Sequence, residues 1–376
     1  MDIYDRLGVR KIINAMGTIS AIGGSIMPAE VYDAMREANE SYVFIDELEQ
    51  KAGEYIANLL GVPAAFVSSG ATDSLLLSAA ACMTGTDRHK IRSLPNTQGW
   101  RSEIVVHKDY GDEYCYMYQA MRATGAKLVE VGTREKLTVE DIERGLTENT
   151  VAIELWLRYR DQPKISEVYP IAQRAGVPII VDAAGQTPPK STFTEPLEEG
   201  ADLVAISGGK GLYGPQGTGM IPGSSKELID ACRLNASPHS AIGRAMKVGR
   251  ESICALIAAL EVFLERDEEA DKSEYKRRSD YIVQELEGIP GVKARTEMAN
   301  PTSRPVVPRV YIQLDPDFPL SAKDVQRQML EGELPIAVGS DFHTADPRTV
   351  RLDVLLLREW ELKAVAHRLT EVLSMA

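Results

Sequence analysis

The chain has 376 residues, 44% hydrophobic and 26% charged, the balance of an ordinary globular protein with room for two domains. With 55 acidic against 42 basic residues its net charge is −13, which argues against a broad nucleic-acid surface, because phosphate backbones need clustered lysine and arginine. No apolar run reaches the roughly 18 residues of a membrane span, the start Met-Asp-Ile-Tyr-Asp-Arg lacks the apolar core of a signal peptide, and the scattered Cys82, Cys115, Cys232 and Cys254 read as free thiols in a reducing compartment, so a cytoplasmic protein is expected.

Residues 1–45 read as an N-terminal segment. Lys11-Ile12-Ile13-Asn14-Ala15-Met16-Gly17-Thr18 ends an apolar patch in small and polar residues, and Gly23-Gly24-Ser25 follows as a loop. This stretch either lines a site, with Asn14 as a candidate substrate ligand, or serves as a connector. A helix is predicted over 28–41, with Pro28 near its first turn.

A large domain is predicted over 46–265. An amphipathic helix covers 47–60 and is stopped by Gly61-Val62-Pro63. A strand over 64–67 is followed by Ser68-Ser69-Gly70-Ala71-Thr72-Asp73-Ser74 and an apolar helix over 75–83. Strand, small polar loop and helix start make the geometry that holds a phosphate on free backbone N–H groups. It is not a Walker loop, and an ordinary serine cap is the plain alternative for Ser69, Gly70 and Ala71. A strand over 103–107 ends at His107, followed by Lys108-Asp109-Tyr110-Gly111-Asp112-Glu113-Tyr114. The spacing of these polar residues matches no metal motif. His107 and Tyr110 are both candidates to stack on a cofactor ring.

Strands over 127–131 and 151–155 alternate with helices over 139–145 and 165–175. Short apolar strands in this rhythm predict a mostly parallel sheet of seven strands, covered by helices on both faces. Val177-Pro178-Ile179-Ile180-Val181-Asp182 is a buried-strand pattern that ends in an aspartate, with Gln186 just beyond it as a candidate substrate ligand. Leu203-Val204-Ala205-Ile206 is another, ending in Ser207-Gly208-Gly209-Lys210-Gly211. A lysine at the carboxyl end of such a strand points into the place where open α/β sheets bind ligands. Pyridoxal phosphate needs both groups: the lysine takes the aldehyde as a Schiff base, and a carboxylate keeps the pyridinium nitrogen protonated so that the ring can accept electrons. Taken alone, Asp182 could be a helix N-cap and Lys210 a surface lysine. Together they point to the cofactor.

A reversed strand is predicted over 217–221. The cationic stretch from His239 to Arg250 includes Arg244 and Lys247 and precedes an apolar helix over 252–264. The charge-rich stretch that begins at Arg266 reads as a solvated face and a domain boundary. Residues 266–376 are predicted to form a smaller α+β domain, with strands over 307–314 and 349–353, a helix capped by Ser321 and a closing amphipathic helix over 359–375.

Asp182, Ser207-Gly-Gly-Lys210 and the Gly214-Pro-Gln-Gly-Thr-Gly run resemble fold-type-I pyridoxal phosphate enzymes. Arg10-Lys-Ile-Ile-Asn14-Ala-Met-Gly17-Thr18, Leu128-Val-Glu-Val-Gly132-Thr133, Gly200-Ala-Asp-Leu-Val and Gly243-Arg-Ala-Met-Lys247-Val narrow the resemblance to the selenocysteine synthase (L-seryl-tRNA selenium transferase)-like branch. The resemblance covers about residues 10 to 265. It implies a homodimer or larger, Lys210 bonded to the cofactor and Asp182 at the pyridine nitrogen. It further implies that Ser69, Gly70, Ala71 and Ser207 hold phosphate, with Arg244 and Lys247 in or near the site. Members of the branch without tRNA activity include ammonia-lyases acting on amino-sugar acids, of the D-glucosaminate-6-phosphate type. The acidic composition, and a start directly at the Asn-Ala-Met-Gly-Thr segment, favour those members over tRNA-dependent ones.

The expected reaction is α,β-elimination from a small amino acid or amino-sugar acid. The substrate amine displaces Lys210, the freed lysine removes the α-proton, a β-leaving group departs, and hydrolysis yields a 2-oxo acid and ammonia. An arginine fork suits a substrate carboxylate, with Arg351 as first candidate and Arg348 as second. A racemase or epimerase, using His107, Tyr110 or Tyr114 on the opposite ring face, and an aminotransferase are the alternatives that share the cofactor. A selenium transferase and a non-catalytic pyridoxal-binding protein stand behind them.

Overall fold

The structure, a computed structural model, describes residues 1–108, 118–157, 162–298, 305–340 and 346–375. It divides into two compact units: Ile26–Glu265, and Met1–Ser25 together with Arg266–Ala376. Strand β1 (Ile13–Ala15) belongs to the second of these.

The larger unit is built on β2 (Ala64–Ser68), β3 (Glu103–His107), β4 (Lys127–Val131), β5 (Thr150–Trp156), β6 (Ile179–Asp182), β7 (Leu203–Ser207) and β8 (Gly219–Gly223). Their order is β2-β8-β7-β6-β5-β3-β4. The run from β7 to β4 is parallel, and β8 is antiparallel to both of its neighbours. Successive strand residues face opposite ways, which splits the apolar runs between two cores. Ile179, Val181, Val204 and Ile206 pack with helices Ile45–Leu60, Ile165–Ala175 and Arg250–Glu265. Ile180, Leu203 and Ala205 pack with helices Ala71–Thr84 and Lys226–Asn235. Burial on both faces is why these strands read as continuous apolar runs instead of alternating ones.

A buried carboxyl group on a helix of this unit makes its stability depend on pH. Glu49 on helix Ile45–Leu60 is buried. Burial, helped by the neighbouring Asp46 charge and opposed by Arg233, pushes its carboxyl up to about 8. The folded state therefore keeps the proton that the unfolded chain releases at ordinary carboxylate pH, so stability falls as pH rises towards 8. Glu49→Gln does not titrate. Its melting temperature is expected to exceed that of the wild type by a margin that widens between about pH 5 and pH 8. A margin that stays constant with pH would show that the carboxyl ionises freely.

The smaller unit has β1, β9 (Val292–Met298), β10 (Pro308–Leu314), β11 (Ile336–Ser340) and β12 (Thr349–Asp353), in the order β1-β11-β12-β10-β9. Ile13 sits opposite Ile336 in a parallel pairing, and the other contacts are antiparallel. Ser321 caps helix Ala322–Leu330 as the sequence implies. Its Oγ accepts from Asp324 N at 3.2 Å while Asp324 Oδ2 accepts from Ser321 N at 3.0 Å.

Candidate active site

Asp182 is the last residue of β6, in register with Trp156 on β5 and Ala205 on β7. It is buried, and its Oδ1 accepts from Ala184 N at 2.9 Å, which fixes the turn that follows. In that turn Gln186 N donates to Ala183 O at 3.1 Å. The Gln186 side chain is also buried, and its Oε1 has no hydrogen-bond partner among the described residues. A Cβ placed on Gly185 would lie 3.6 Å from Lys210 Nζ. The amine thus lies beside the turn that Asp182 begins; Asp182 ends β6, and Lys210 follows the end of β7, its parallel neighbour. Ligands of open α/β sheets gather at such ends.

Lys210 is held there by its glycine neighbours. The loop is tied by Gly208 N donating to Thr218 O at 2.9 Å and Gly214 N donating to Gly208 O at 2.8 Å. A Cβ on Gly209 would fall 2.3 Å from Gln216 Cα, and one on Gly211 would fall 2.0 Å from Thr187 O. The close approach that the glycines permit is therefore made by the protein's own backbone. Ser207 ends β7 in register with Gly219 on β8, with its side chain buried.

Helix Ala71–Thr84 begins after β2 with Gly70 at φ 146° and no side-chain cap. A Cβ on Gly70 would meet nothing within 4 Å. A helix start without a side-chain cap is the kind of backbone that suits an anion. The N and Oγ of Ser69 donate to Asp73 Oδ2 at 2.8 and 3.0 Å. Asp73 is buried, with Oδ1 left without a partner among the described residues, and burial pushes its carboxyl up to about 6 against the two Ser69 bonds. The sequence reading does not single out Asp73. Its one signal is an acid in the third helical position, four residues after a serine.

His107 ends β3 and is buried. Its Nε2 lies 2.7 Å from Thr133 O, and because a carbonyl only accepts, Nε2 carries the proton. Tyr118 donates to the His107 carbonyl at 3.0 Å. Tyr110 and Tyr114 lie outside the described residues. Arg244 and Lys247 are exposed on the loop after helix Lys226–Asn235. That loop is held close to helix Ala71–Thr84 at Gly243, where a Cβ would stand 2.8 Å from Leu77 Cδ2.

In the smaller unit, Arg351 is buried on β12 opposite Gly339, with Nε and Nη2 each 3.7 Å from a Cβ placed on that glycine. Arg348 has a different task. Its Nη1 donates to Phe318 O at 2.9 Å and Leu320 O at 3.1 Å, and its Nη2 to Pro316 O at 2.5 Å. A guanidinium spent on three carbonyls braces a loop. Asn14 likewise closes its own turn, donating to Gly17 O at 3.0 Å and accepting from Met16 N at 2.9 Å.

Comparison with known proteins agrees with this architecture. The family model described as L-seryl-tRNA selenium transferase matches residues 115–277. The chain is 28% identical to D-glucosaminate-6-phosphate ammonia lyase of Salmonella typhimurium (strain 14028s / SGSC 2262), over 100% of this chain and 99% of that protein. It is 31% identical to the 5'-C-glycyluridine monooxygenase-decarboxylase of a Streptomyces species, over 83% of this chain and 77% of that protein. The solved D-glucosaminate-6-phosphate ammonia-lyase superposes with a TM-score of 0.81 at 26% identity, covering 100% of this chain and 99% of that one. No helix among the described residues is long and apolar enough to cross a membrane. The chain belongs to the selenocysteine synthase-like family of fold-type-I pyridoxal phosphate enzymes.

Proposed function

We propose that this protein is a pyridoxal phosphate-dependent lyase that carries out α,β-elimination on a small amino acid or amino-sugar acid, releasing ammonia and a 2-oxo acid. The observation that carries the reading is the placing of Lys210 Nζ beside the turn begun by Asp182. Full-length likeness to an ammonia lyase supports the reaction class. When bound, the cofactor supplies an electron-withdrawing ring that makes the substrate α-proton acidic.

The chain's own residues do the rest. Lys210 Nζ would hold the cofactor by its aldehyde and, as a free amine, would take the substrate α-proton as a general base. Asp182 holds a proton at the pyridine nitrogen from a buried position. Ser69, Gly70, Ala71 and Ser207 bind the phosphate, with the uncapped helix start as its main donor. Arg244 and Lys247 add positive charge. His107 or Tyr110 would stack on the ring. Gln186 offers Oε1, a buried acceptor ready for a substrate N–H or O–H. Arg351 is the better fork for the substrate carboxylate, because Arg348 is committed to its loop. Asn14 acts through the turn that it closes.

A homodimer or larger assembly is supported by Tyr42, Val43 and Phe44, three consecutive apolar side chains that are all exposed. A cytoplasmic site is supported by Cys82, Cys232 and Cys254, which are free thiols.

The test is to incubate purified protein and pyridoxal phosphate with a panel of D- and L-amino acids and phosphorylated amino-sugar acids. Ammonia and a 2-oxo acid are measured together, in deuterium oxide. Equimolar release of both is the expected result. Deuterium entering the α-position without consumption would make the enzyme a racemase, and cofactor left in its amine form would make it an aminotransferase.

A further inference from the structure

Residues 1–12 are well built locally and yet leave their apolar side chains in solvent. Helix Ile3–Leu7 opens on a capping box, with Asp5 N donating to Asp2 Oδ1 at 3.0 Å and Asp2 N donating to Asp5 Oδ2 at 2.9 Å. It closes at Gly8, with φ 67°, where Val9 N donates to Tyr4 O at 2.9 Å. Lys11 Nζ bridges Asp2 at 2.8 Å and Asp5 at 3.2 Å. The helix has no buried residue, and Met1, Ile3, Tyr4, Leu7, Val9 and Ile12 are all exposed. A helix of five residues is marginal in water on its own hydrogen bonds, and exposed ion pairs add little to it. Apolar side chains fixed in one rigid hook are the mark of a surface that another surface covers.

The other run of consecutive large apolar side chains in solvent is Tyr42-Val43-Phe44, which leads into helix Ile45–Leu60. It too is held in place. Arg250 donates from Nε to Ala38 O at 3.1 Å and from Nη2 to Asn39 Oδ1 at 2.8 Å, and its guanidinium stands 5.4 Å from the centre of the Tyr42 ring. The two runs carry opposite charge. In the hook, Lys11 answers both acids, and Arg6 and Arg10 are exposed with no ion pair among the described residues. Around Tyr42-Val43-Phe44, Arg233 answers Asp46 at 2.5 Å, and Glu37, Glu40 and Glu47 are exposed with no ion pair among the described residues.

We propose that residues 1–12 of one copy of this chain dock on Tyr42-Val43-Phe44 of a second copy, and that the exchange is reciprocal. The inference rests on the homodimer reading and names the surfaces that make it. Apolar contact supplies the affinity, and Arg6 and Arg10 meet the acidic flank and set the orientation. Charge decides against the simpler arrangement in which each run packs on its own equivalent. A two-fold axis through Tyr42-Val43-Phe44 would set Glu37, Glu40 and Glu47 against themselves, and one through the hook would do the same to Arg6 and Arg10. Reciprocal exchange avoids both repulsions, covers both runs on each chain and closes after two copies.

The experiment follows the mass of the full chain by light scattering over a dilution series. Three proteins are compared: wild type, Arg6→Glu with Arg10→Glu, and Glu37→Lys with Glu40→Lys. The wild type is expected to be a dimer or a multiple of it. Each reversed protein is expected to dissociate at least about tenfold more readily, because like charges then face each other at both contacts. Mixed one to one, the two reversed proteins are expected to recover wild-type affinity, since in a mixed dimer each hook meets a flank of opposite sign. A folding defect in either variant would not be repaired by mixing. Phe44→Ser is expected to raise the dissociation constant by about thirtyfold, the scale of an anchor residue in an interface.

A wild-type dimer that the reversals leave intact, or that mixing fails to restore, would overturn the exchange and leave the homodimer reading standing on other surfaces. A wild type that stays monomeric at every concentration would overturn both. If that monomer also loses melting temperature in the Arg6→Glu, Arg10→Glu protein, the hook docks within its own chain.

Discussion

Lys210→Ala is expected to remove the visible absorption of the protein incubated with pyridoxal phosphate and to lower turnover by more than about a thousandfold, the scale on which a nucleophilic amine and general base act together. The side chain is not a packing element. It is half-exposed, and the loop that carries it is held by backbone bonds from Gly208 and Gly214 that alanine leaves intact. Lys210→Arg separates charge from chemistry. A guanidinium stays protonated in proteins and serves neither as nucleophile nor as base, so this variant is expected to fail as completely as alanine. Retention of the band and of turnover in either variant would mean that another amine carries the reaction.

Gly211→Ala is expected to lower the unfolding free energy by about 3 kcal/mol, the upper end of what an overpacked site usually costs. The added methyl would stand 2.0 Å from Thr187 O and 2.7 Å from the same residue's carbonyl carbon. Both are backbone atoms, so no side chain can swing aside and one of the two loops must move. One carries Lys210, and the other begins just after Gln186. Weakened cofactor binding is expected to accompany the lost stability. Gly217→Ala, in the same loop, is the control: nothing lies within 4 Å of its Cβ position, and a change within about 0.5 kcal/mol is expected. Urea midpoints at equal slope measure both. If Gly211→Ala proves as mild as Gly217→Ala, the two loops are not the rigid pair that the distances imply.

The large sheet is legible in the sequence because its strands are buried on both faces and bounded by glycines and prolines. The predicted and observed bounds coincide at 103–107 and 127–131, and the reversed strand after Lys210 is present, displaced by two residues. Three strands of the smaller unit carry no such signal. Strand β1 is three residues long and has no period to detect. Strand β9 lies at a sheet edge, and its exposed Lys293, Arg295 and Glu297 give the run the polarity of a loop. Strand β11 follows a turn-rich stretch and is completed by β1, some three hundred positions earlier in the chain.

Chemical identity is local information. Asp182 and Lys210 stand at strand ends that their own apolar runs announce, and a carboxylate and an amine so placed imply the cofactor whatever the rest of the chain does. What each polar side chain touches is not local. Asn14 and Arg348 bond to backbone carbonyls of their surroundings, and Ser69 donates to Asp73, partners that residue type alone does not announce. Gln186 Oε1 is left without a partner by packing alone. The seven-stranded sheet, the cofactor class and the placing of a carboxylate and an amine at the ends of neighbouring strands could thus be read from the residues alone, because strand burial and residue chemistry are properties of short segments. Folding in three dimensions was needed to bring residues 1–25 into the smaller unit, to set backbone against the glycines around Lys210, and to set Asp73 against Ser69, because hydrogen-bond partners and close approaches are decided by the packed chain and not by residue type.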